Sequence, residues 1–231
     1  MEIDTLILAG GKGSRLQPVM NNKPKCLALI NGVPFIDILL DDCIRKGLRN
    51  FIVCVGIYSD QVIDHLSKRN DCNIVFSNEN EPLGTGGAIK NAKDLIKSDP
   101  FVVMNGDSYI DYNVQNLIKK QVEFLGSILL YQNSNSSSYG SVCINENGLL
   151  CEFHEKSDNY NSKYLNAGRY VFSSMLFDFF PLKNKFSLEI DVLPLVVKEL
   201  KVNSLISNNQ SIDIGTPERL NNAQKKIKFS V

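Results

Sequence analysis

The segment Leu8-Ala9-Gly10-Gly11-Lys12-Gly13-Ser14-Arg15-Leu16 constrains the fold more than any other part of the chain. It follows an apolar run at residues 5–8, so a buried strand must end in a turn that glycine makes possible. Three glycines let the backbone bend sharply and bring its amide groups against an anion, and Arg15 adds a planar, permanently charged fork for phosphate oxygens. The pattern is not a Walker A loop, because no glycine stands, with four residues between, ahead of a Gly-Lys-Ser/Thr. Nor is it the dinucleotide fingerprint, because Leu16 takes the place of the third glycine. The glycines alone also fit a purely structural strand-to-helix turn.

Around this loop, apolar runs of strand length alternate with segments of helical period, which predicts an α/β fold with a mainly parallel sheet. Strands are expected at residues 5–8, 51–55, 73–76 and 101–104, and helices at 34–46, 59–68 and 85–96. The first helix places Phe35, Ile38, Leu39 and Cys43 on one face. From about residue 125 the pieces shorten: strands at 127–131, 141–144 and 166–172, a hairpin signal at Asn147-Gly148, and a partly antiparallel second half. The Asn/Ser-rich stretch 132–138 reads as a mobile loop and a candidate lid. A length of 231 residues and a hydrophobic fraction of 43% suit one domain, with halves at about 1–125 and 126–231.

The 25 Lys and Arg residues cancel the 25 Asp and Glu, so no global field draws the protein to nucleic acid or to a membrane, and anion binding must be local. The lysine-rich end, Lys225 to Lys228, reads as the solvated face of a terminal helix. Six cysteines without a CxxC pair read as reduced core thiols. The acidic N-terminal flank is unlike a signal peptide and no apolar segment reaches 18 residues. The expected location is cytoplasmic.

The run Gly10-Gly11-Lys12-Gly13-Ser14-Arg15-Leu16 followed by Pro24-Lys25 resembles the signature of the sugar-1-phosphate nucleotidyltransferases, a GGxGTRL loop and a Pro-Lys pair, with Ser14 keeping the hydroxyl of the usual threonine. Further ordered matches are Glu81-Pro82-Leu83-Gly84-Thr85-Gly86-Gly87-Ala88, Asn105-Gly106-Asp107, Tyr139-Gly140, Glu155-Lys156, Asn166-Ala167-Gly168-Arg169-Tyr170 and Asp213-Ile214-Gly215-Thr216-Pro217-Glu218. The resemblance implies a Rossmann-like nucleotidyltransferase fold: a mixed, mainly parallel sheet flanked by helices, with a small, partly antiparallel sugar-binding part.

By this resemblance the nucleotide meets Leu8, Ala9, Gly10, Gly11, Gly13, Ser14, Arg15, Glu79, Gly84, Thr85 and Gly106. Arg15, Lys25 and Asp107 are the expected catalytic groups. Asp107 and Asp213 are the expected ligands of Mg²⁺, whose preference for hard oxygen donors suits them. Each follows an apolar run, and a turn carboxylate capping a helix is the alternative for Asp107. The sugar phosphate is assigned Gly140, Glu155, Lys156, Asn166, Gly168 and Glu189. Glu155-Lys156 are otherwise surface charges, and Glu189 with Asp191 otherwise cap a helix behind Ser187. Catalysis needs no general base, because a sugar phosphate is already ionised at neutral pH.

The substrates implied are a nucleoside triphosphate and a sugar 1-phosphate, with a homodimer as the assembly to test. Within the family it resembles, the Gly10-Gly11 start is closer to thymidylyl- and guanylyl-transferring members than to uridylyl-transferring ones, which implies a nucleotide other than UTP. Glu79 can accept from two adjacent donors on guanine, unless it is a solvated member of the run 79–81. The short length, the Leu83–Ala88 motif and Phe186-Ser187-Leu188-Glu189 most resemble the D-glycero-D-manno-heptose 1-phosphate guanylyltransferases, which points to GTP. The alternatives are another nucleotide paired with mannose, glucose or N-acetylmuramic acid 1-phosphate, or a binding domain without turnover. Intact Arg15, Lys25, Asp107 and Asp213 weigh against the last.

Overall fold

The computed structural model describes residues 2–132, 140–155, 162–199 and 202–228. The first half runs β1 (Asp4–Leu8), α1 (Gln17–Met20), the ribbon β2 (Leu29–Ile30) and β3 (Val33–Pro34), α2 (Phe35–Arg45), β4 (Asn50–Val55), α3 (Ser59–Leu66), β5 (Asn73–Asn78), α4 (Gly84–Asn91), β6 (Phe101–Asn105), β7 (Ser108–Tyr109) and α5 (Val114–Gln121). The second half runs β8 (Gly126–Gln132), β9 (Ser141–Ile144), β10 (Leu150–His154), β11 (Tyr164–Phe172), α6 (Leu193–Glu199), β12 (Val202–Ser207), β13 (Ile212–Asp213) and α7 (Pro217–Lys226).

Strands from both halves enter one nine-stranded sheet. β5, β4, β1 and β6 are parallel neighbours. β4 reads NFIVCV and is buried along all but its first residue, as a parallel strand covered on both faces should be. β11 runs antiparallel to β6 and β8, and β12 returns parallel to β8. The β9–β10 hairpin joins the amino-terminal end of β11. Its turn bears out the Asn147-Gly148 signal: Gly148 sits at φ 77°, and Asn145 accepts from the amides of Asn147 and Leu149.

Two apolar layers sandwich the sheet. One holds Phe35, Leu39 and Cys43 of α2, Val62 and Leu66 of α3, Leu117 of α5 and Ala223 of α7. The other holds Ala88 and Ile89 of α4 and Leu193, Val196 and Val197 of α6. The apolar face expected for the first helix is thus the buried one.

The helix expected over residues 85–96 is interrupted. α4 stops at Asn91 and a 3₁₀ turn, Lys93–Leu95, follows. The tightening leads the chain to the head of β1, where the buried Asp4 carboxylate accepts from the amides of Lys97 (2.5 Å) and Ser98 (2.8 Å). All six cysteines are free thiols; Cys26, Cys43 and Cys54 are buried, whereas Cys151 is exposed, so the core reading holds for only part of the set. Burial pushes the thiols of Cys26 and Cys43 up to about 12. Residues 133–138 of the expected loop lie outside the described residues, and Gln132 ends β8. No helix among the described residues is long and apolar enough to cross a membrane.

Candidate active site

The carboxyl ends of β1, β4, β5 and β6 share one edge of the sheet, the edge at which open α/β sheets bind ligands. Short backbone bonds draw their loops together: the Ala9 amide donates to Cys54 O (3.0 Å), Gly106 to Leu8 O (3.0 Å) and Glu79 to Val55 O (2.8 Å). A cleft of about 540 Å³ opens there, within the range of small-molecule sites.

One wall is the glycine loop, with Leu8, Ala9, Gly10, Gly11, Gly13 and Arg15 all lining the cleft. Gly13 needs its glycine: φ is +58°, and a Cβ would lie 2.9 Å from Cβ of Lys25. Ser14, expected in the same wall, is exposed and does not line the cleft. Opposite stand Glu79, Gly84 and Thr85, with Gly106 between. Glu79 accepts from the Leu83 amide through Oε2 (3.0 Å), while its Oε1 lies 2.4 Å from where a Cβ on Gly10 would sit. Burial holds the Glu79 carboxyl above its ordinary range, opposed by the Leu83 hydrogen bond. Of the two readings of Glu79, a wholly solvated surface charge does not fit this placement.

Arg15, Lys25 and Asp213 meet at Gly215. A Cβ on this glycine would lie 3.0 Å from Asp213 Oδ1, 3.7 Å from Arg15 Nη2 and 3.9 Å from Lys25 Nζ. Asp107 joins them from the next strand. β7 and β13 pair with Ser108 opposite Asp213, and the Ile214 amide donates to Asp107 O (3.0 Å). Lys25 is ion-paired to Asp107, and Arg219 contacts both Asp213 oxygens at 3.2 Å. Among the described residues no cluster of three or more acidic, His or Cys side chains forms a protein-only metal cage. Asp107 and Asp213, brought near each other by the pairing of β7 with β13, instead offer hard oxygen donors of the kind that suits a divalent cation shared with substrate phosphates.

The second half closes the cleft with Gly140, Glu155, Asn166, Gly168 and Glu189. Asn166 bridges locally, accepting from the Gly168 amide (2.9 Å) and donating to the Tyr170 hydroxyl (2.7 Å). Gly168 holds φ +65°, with Asn105 packed where its Cβ would be. Glu189 is 7% exposed. It accepts from the hydroxyls of Thr85 (2.5 Å), Ser187 (2.9 Å) and Tyr170 (3.4 Å). Asp191 takes the capping role, accepting from the Ser187 amide (2.7 Å) while Ser187 accepts from Glu189 and Ile190. Lys156 lies outside the described residues.

Sequence reasoning missed Arg219 and did not assign Asn105 or Ser187, named only within motifs, to the site; all three line the cleft. Arg219 sits in the first turn of α7, and only the folded chain sets it against Asp213. The Asp213–Glu218 motif stops one residue short of it.

Residues 4–229 match the nucleotidyl transferase family. D-glycero-alpha-D-manno-heptose 1-phosphate guanylyltransferase of Campylobacter jejuni is 34% identical over 218 residues, covering 94% of this chain and 96% of that one. The protein of the same name from Aneurinibacillus thermoaerophilus is 30% identical and covers 99% and 100% of the two chains. The crystal structure of HddC from Yersinia pseudotuberculosis is 33% identical, superposes with a TM-score of 0.86 and covers 98% and 100%; HddC has also been solved complexed with GMP-PN. With its glycine loop, its paired carboxylates and this end-to-end likeness, the chain belongs to the nucleotidyl transferase family.

Proposed function

We propose that the protein transfers GMP from GTP to D-glycero-D-manno-heptose 1-phosphate, yielding GDP-heptose and pyrophosphate, and that it does so in the cytoplasm. The observation that carries this reading is the convergence of Arg15, Lys25 and Asp213 on Gly215, in a chain matched end to end by relatives named for this reaction. Guanine is favoured by the half-buried Glu79 carboxylate, since its oxygens can accept from adjacent donors on the base. The first half carries the nucleotide and the second carries the sugar phosphate.

The phosphate oxygen of the sugar attacks the α-phosphorus in line, one P–O bond forms, and the bond to the β-phosphate breaks with pyrophosphate leaving. No proton must be removed from the nucleophile, so the work of the protein is alignment and electrostatics. Arg15 and Lys25 stabilise the charge that grows on the α-phosphate and the leaving group. Asp107 and Asp213 would hold Mg²⁺, which when bound neutralises phosphate charge and orients the triphosphate. Gly140, Glu155, Lys156, Asn166 and Gly168 receive the sugar phosphate. Glu189, its oxygens already engaged by three hydroxyls, joins the Thr85 side of the cleft to the Tyr170–Asn166 side rather than serving the sugar alone.

Pyrophosphate release with Mg²⁺ tests this reading. GTP, dTTP, UTP, CTP and ATP are each combined with heptose, mannose, glucose and N-acetylmuramic acid 1-phosphates. Turnover confined to GTP and heptose 1-phosphate, and lost in Asp107→Asn, is expected. Preference for another pair would overturn the specificity, and silence with every pair would overturn the activity.

A further inference from the structure

The turn that presents Asp107 is fastened from behind by a charge that the reaction itself does not use. Arg169 is 1% exposed and pairs in register with Met104 of β6. Its Nη1 donates to the carbonyls of Asn105 (3.2 Å) and Gly168 (2.9 Å) and to the Ser108 hydroxyl (3.3 Å), and its Nη2 donates to the Ser108 carbonyl. Asn105 and Ser108 bracket Gly106-Asp107, so one planar fork grips both ends of the turn. The third carbonyl belongs to the strand whose Asn166 and Gly168 line the opposite wall. Among the described residues the guanidinium meets no carboxylate. Its burial is offset only by carbonyl dipoles and a hydroxyl, an expensive way to fill a core position.

We propose that Arg169 is a positioning residue for the divalent-cation site: it fixes the direction of the Asp107 carboxylate and couples it to the Asn166–Gly168 wall. A lysine could keep the charge but not the fork that spans both ends of the turn. The inference rests on the reading of Asp107 as a metal ligand.

The test is Mn²⁺ binding to the full chain, read by electron paramagnetic resonance without turnover, for wild type, R169K, R169M, D107N and R169K/D107N, with thermal melts of each. Groups that orient a metal ligand typically contribute about 10–100-fold in affinity. R169K is expected to melt cooperatively, weaken Mn²⁺ by about tenfold or more, and leave metal-free GTP binding within about twofold. Because it acts through Asp107, it should add less than about twofold to the loss in D107N. Unchanged Mn²⁺ affinity in a folded R169K, a loss additive with D107N, or failure of both R169K and R169M to fold would overturn the proposal. Unchanged affinity in D107N itself would overturn the metal reading beneath it, an outcome distinct from failure of the Arg169 variants alone.

Discussion

The Lys25 ammonium is bonded to Oδ2 of Asp107, joining the 3₁₀ turn Lys25–Leu27 to the turn after β6. The lysine side chain is 16% exposed and the aspartate 40%. Two groups assigned to different substrates, one to phosphate and one to the metal, therefore neutralise each other in the protein alone. On the roles proposed for them, loading the site would separate the pair, the phosphates and the cation each supplying a replacement charge.

Lys25→Met removes a cation that competes with the metal for Asp107. Mn²⁺ affinity without nucleotide should rise by about threefold or more, because the repulsion between like charges a few ångströms apart disappears. Turnover should fall by about 100-fold or more, the scale of losing one electrostatic stabiliser of a transition state. Mn²⁺ titration and pyrophosphate release read the two effects, and a fall in metal affinity would contradict the competition.

Gly215→Ala probes the meeting point of Arg15, Lys25 and Asp213. The backbone there is not in the left-handed region, so the new methyl acts by volume, 3.0 Å from Asp213 Oδ1. Stability should change by less than about 1 kcal/mol, as at sites without a large structural mechanism. Turnover should drop by about tenfold or more through misplaced charge. A urea titration beside steady-state kinetics separates the two, and full activity would show that the junction tolerates a side chain.

Glu79→Gln should relax nucleotide choice and stabilise the fold at neutral pH. The carboxyl is raised above its ordinary value of 4.5 by burial, so the folded protein holds its proton more tightly than the unfolded chain does. Its ionisation therefore lowers stability as pH rises through the window between 4.5 and the raised folded value. The amide escapes that penalty, so the gain in melting temperature over wild type should be present at pH 7 and vanish near pH 4. The ratio of kcat/KM for GTP over UTP should fall by about tenfold or more. Melts across pH and competition between the nucleotides check both halves.

Glu189→Ala should unfold at lower denaturant. It removes the carboxylate, 7% exposed, that accepts the hydroxyl protons of Thr85, Ser187 and Tyr170; the hydroxyls keep their amide donors, but a buried proton left without an acceptor costs about 1–3 kcal/mol. A loss of about 2 kcal/mol or more is expected by urea denaturation, with KM raised for both substrates. An effect on the sugar phosphate alone would return Glu189 to a simple sugar contact.

Much of this architecture is legible along the chain. The strands β1, β4, β5 and β6 and the helices α2 and α3 show in apolar periodicity because each buries a face set by local spacing. The glycine loop shows because a strand cannot enter such a turn without glycine at Gly13. Less visible were α5, α6 and β12, whose burial is set by partners distant in sequence, and the break after Asn91, which answers to Asp4 at the far end of the sheet.

What the sequence by itself determined is the set of local devices: the glycine loop, the alternating elements, the capping serine at Ser187, and the family resemblance those motifs carry. Only the tertiary structure decided which charges face one another. Asp107 and Asp213 become neighbours through the pairing of β7 with β13, Arg219 reaches Asp213 from α7, Arg169 grips the turn from beneath, and Glu189 spans the two walls. Apart from Arg219–Asp213, which spans six residues, those contacts are cross-strand or cross-layer, so no spacing along the chain encodes them. They exist because burying both faces of one sheet forces distant carboxyl-edge loops into a single cleft.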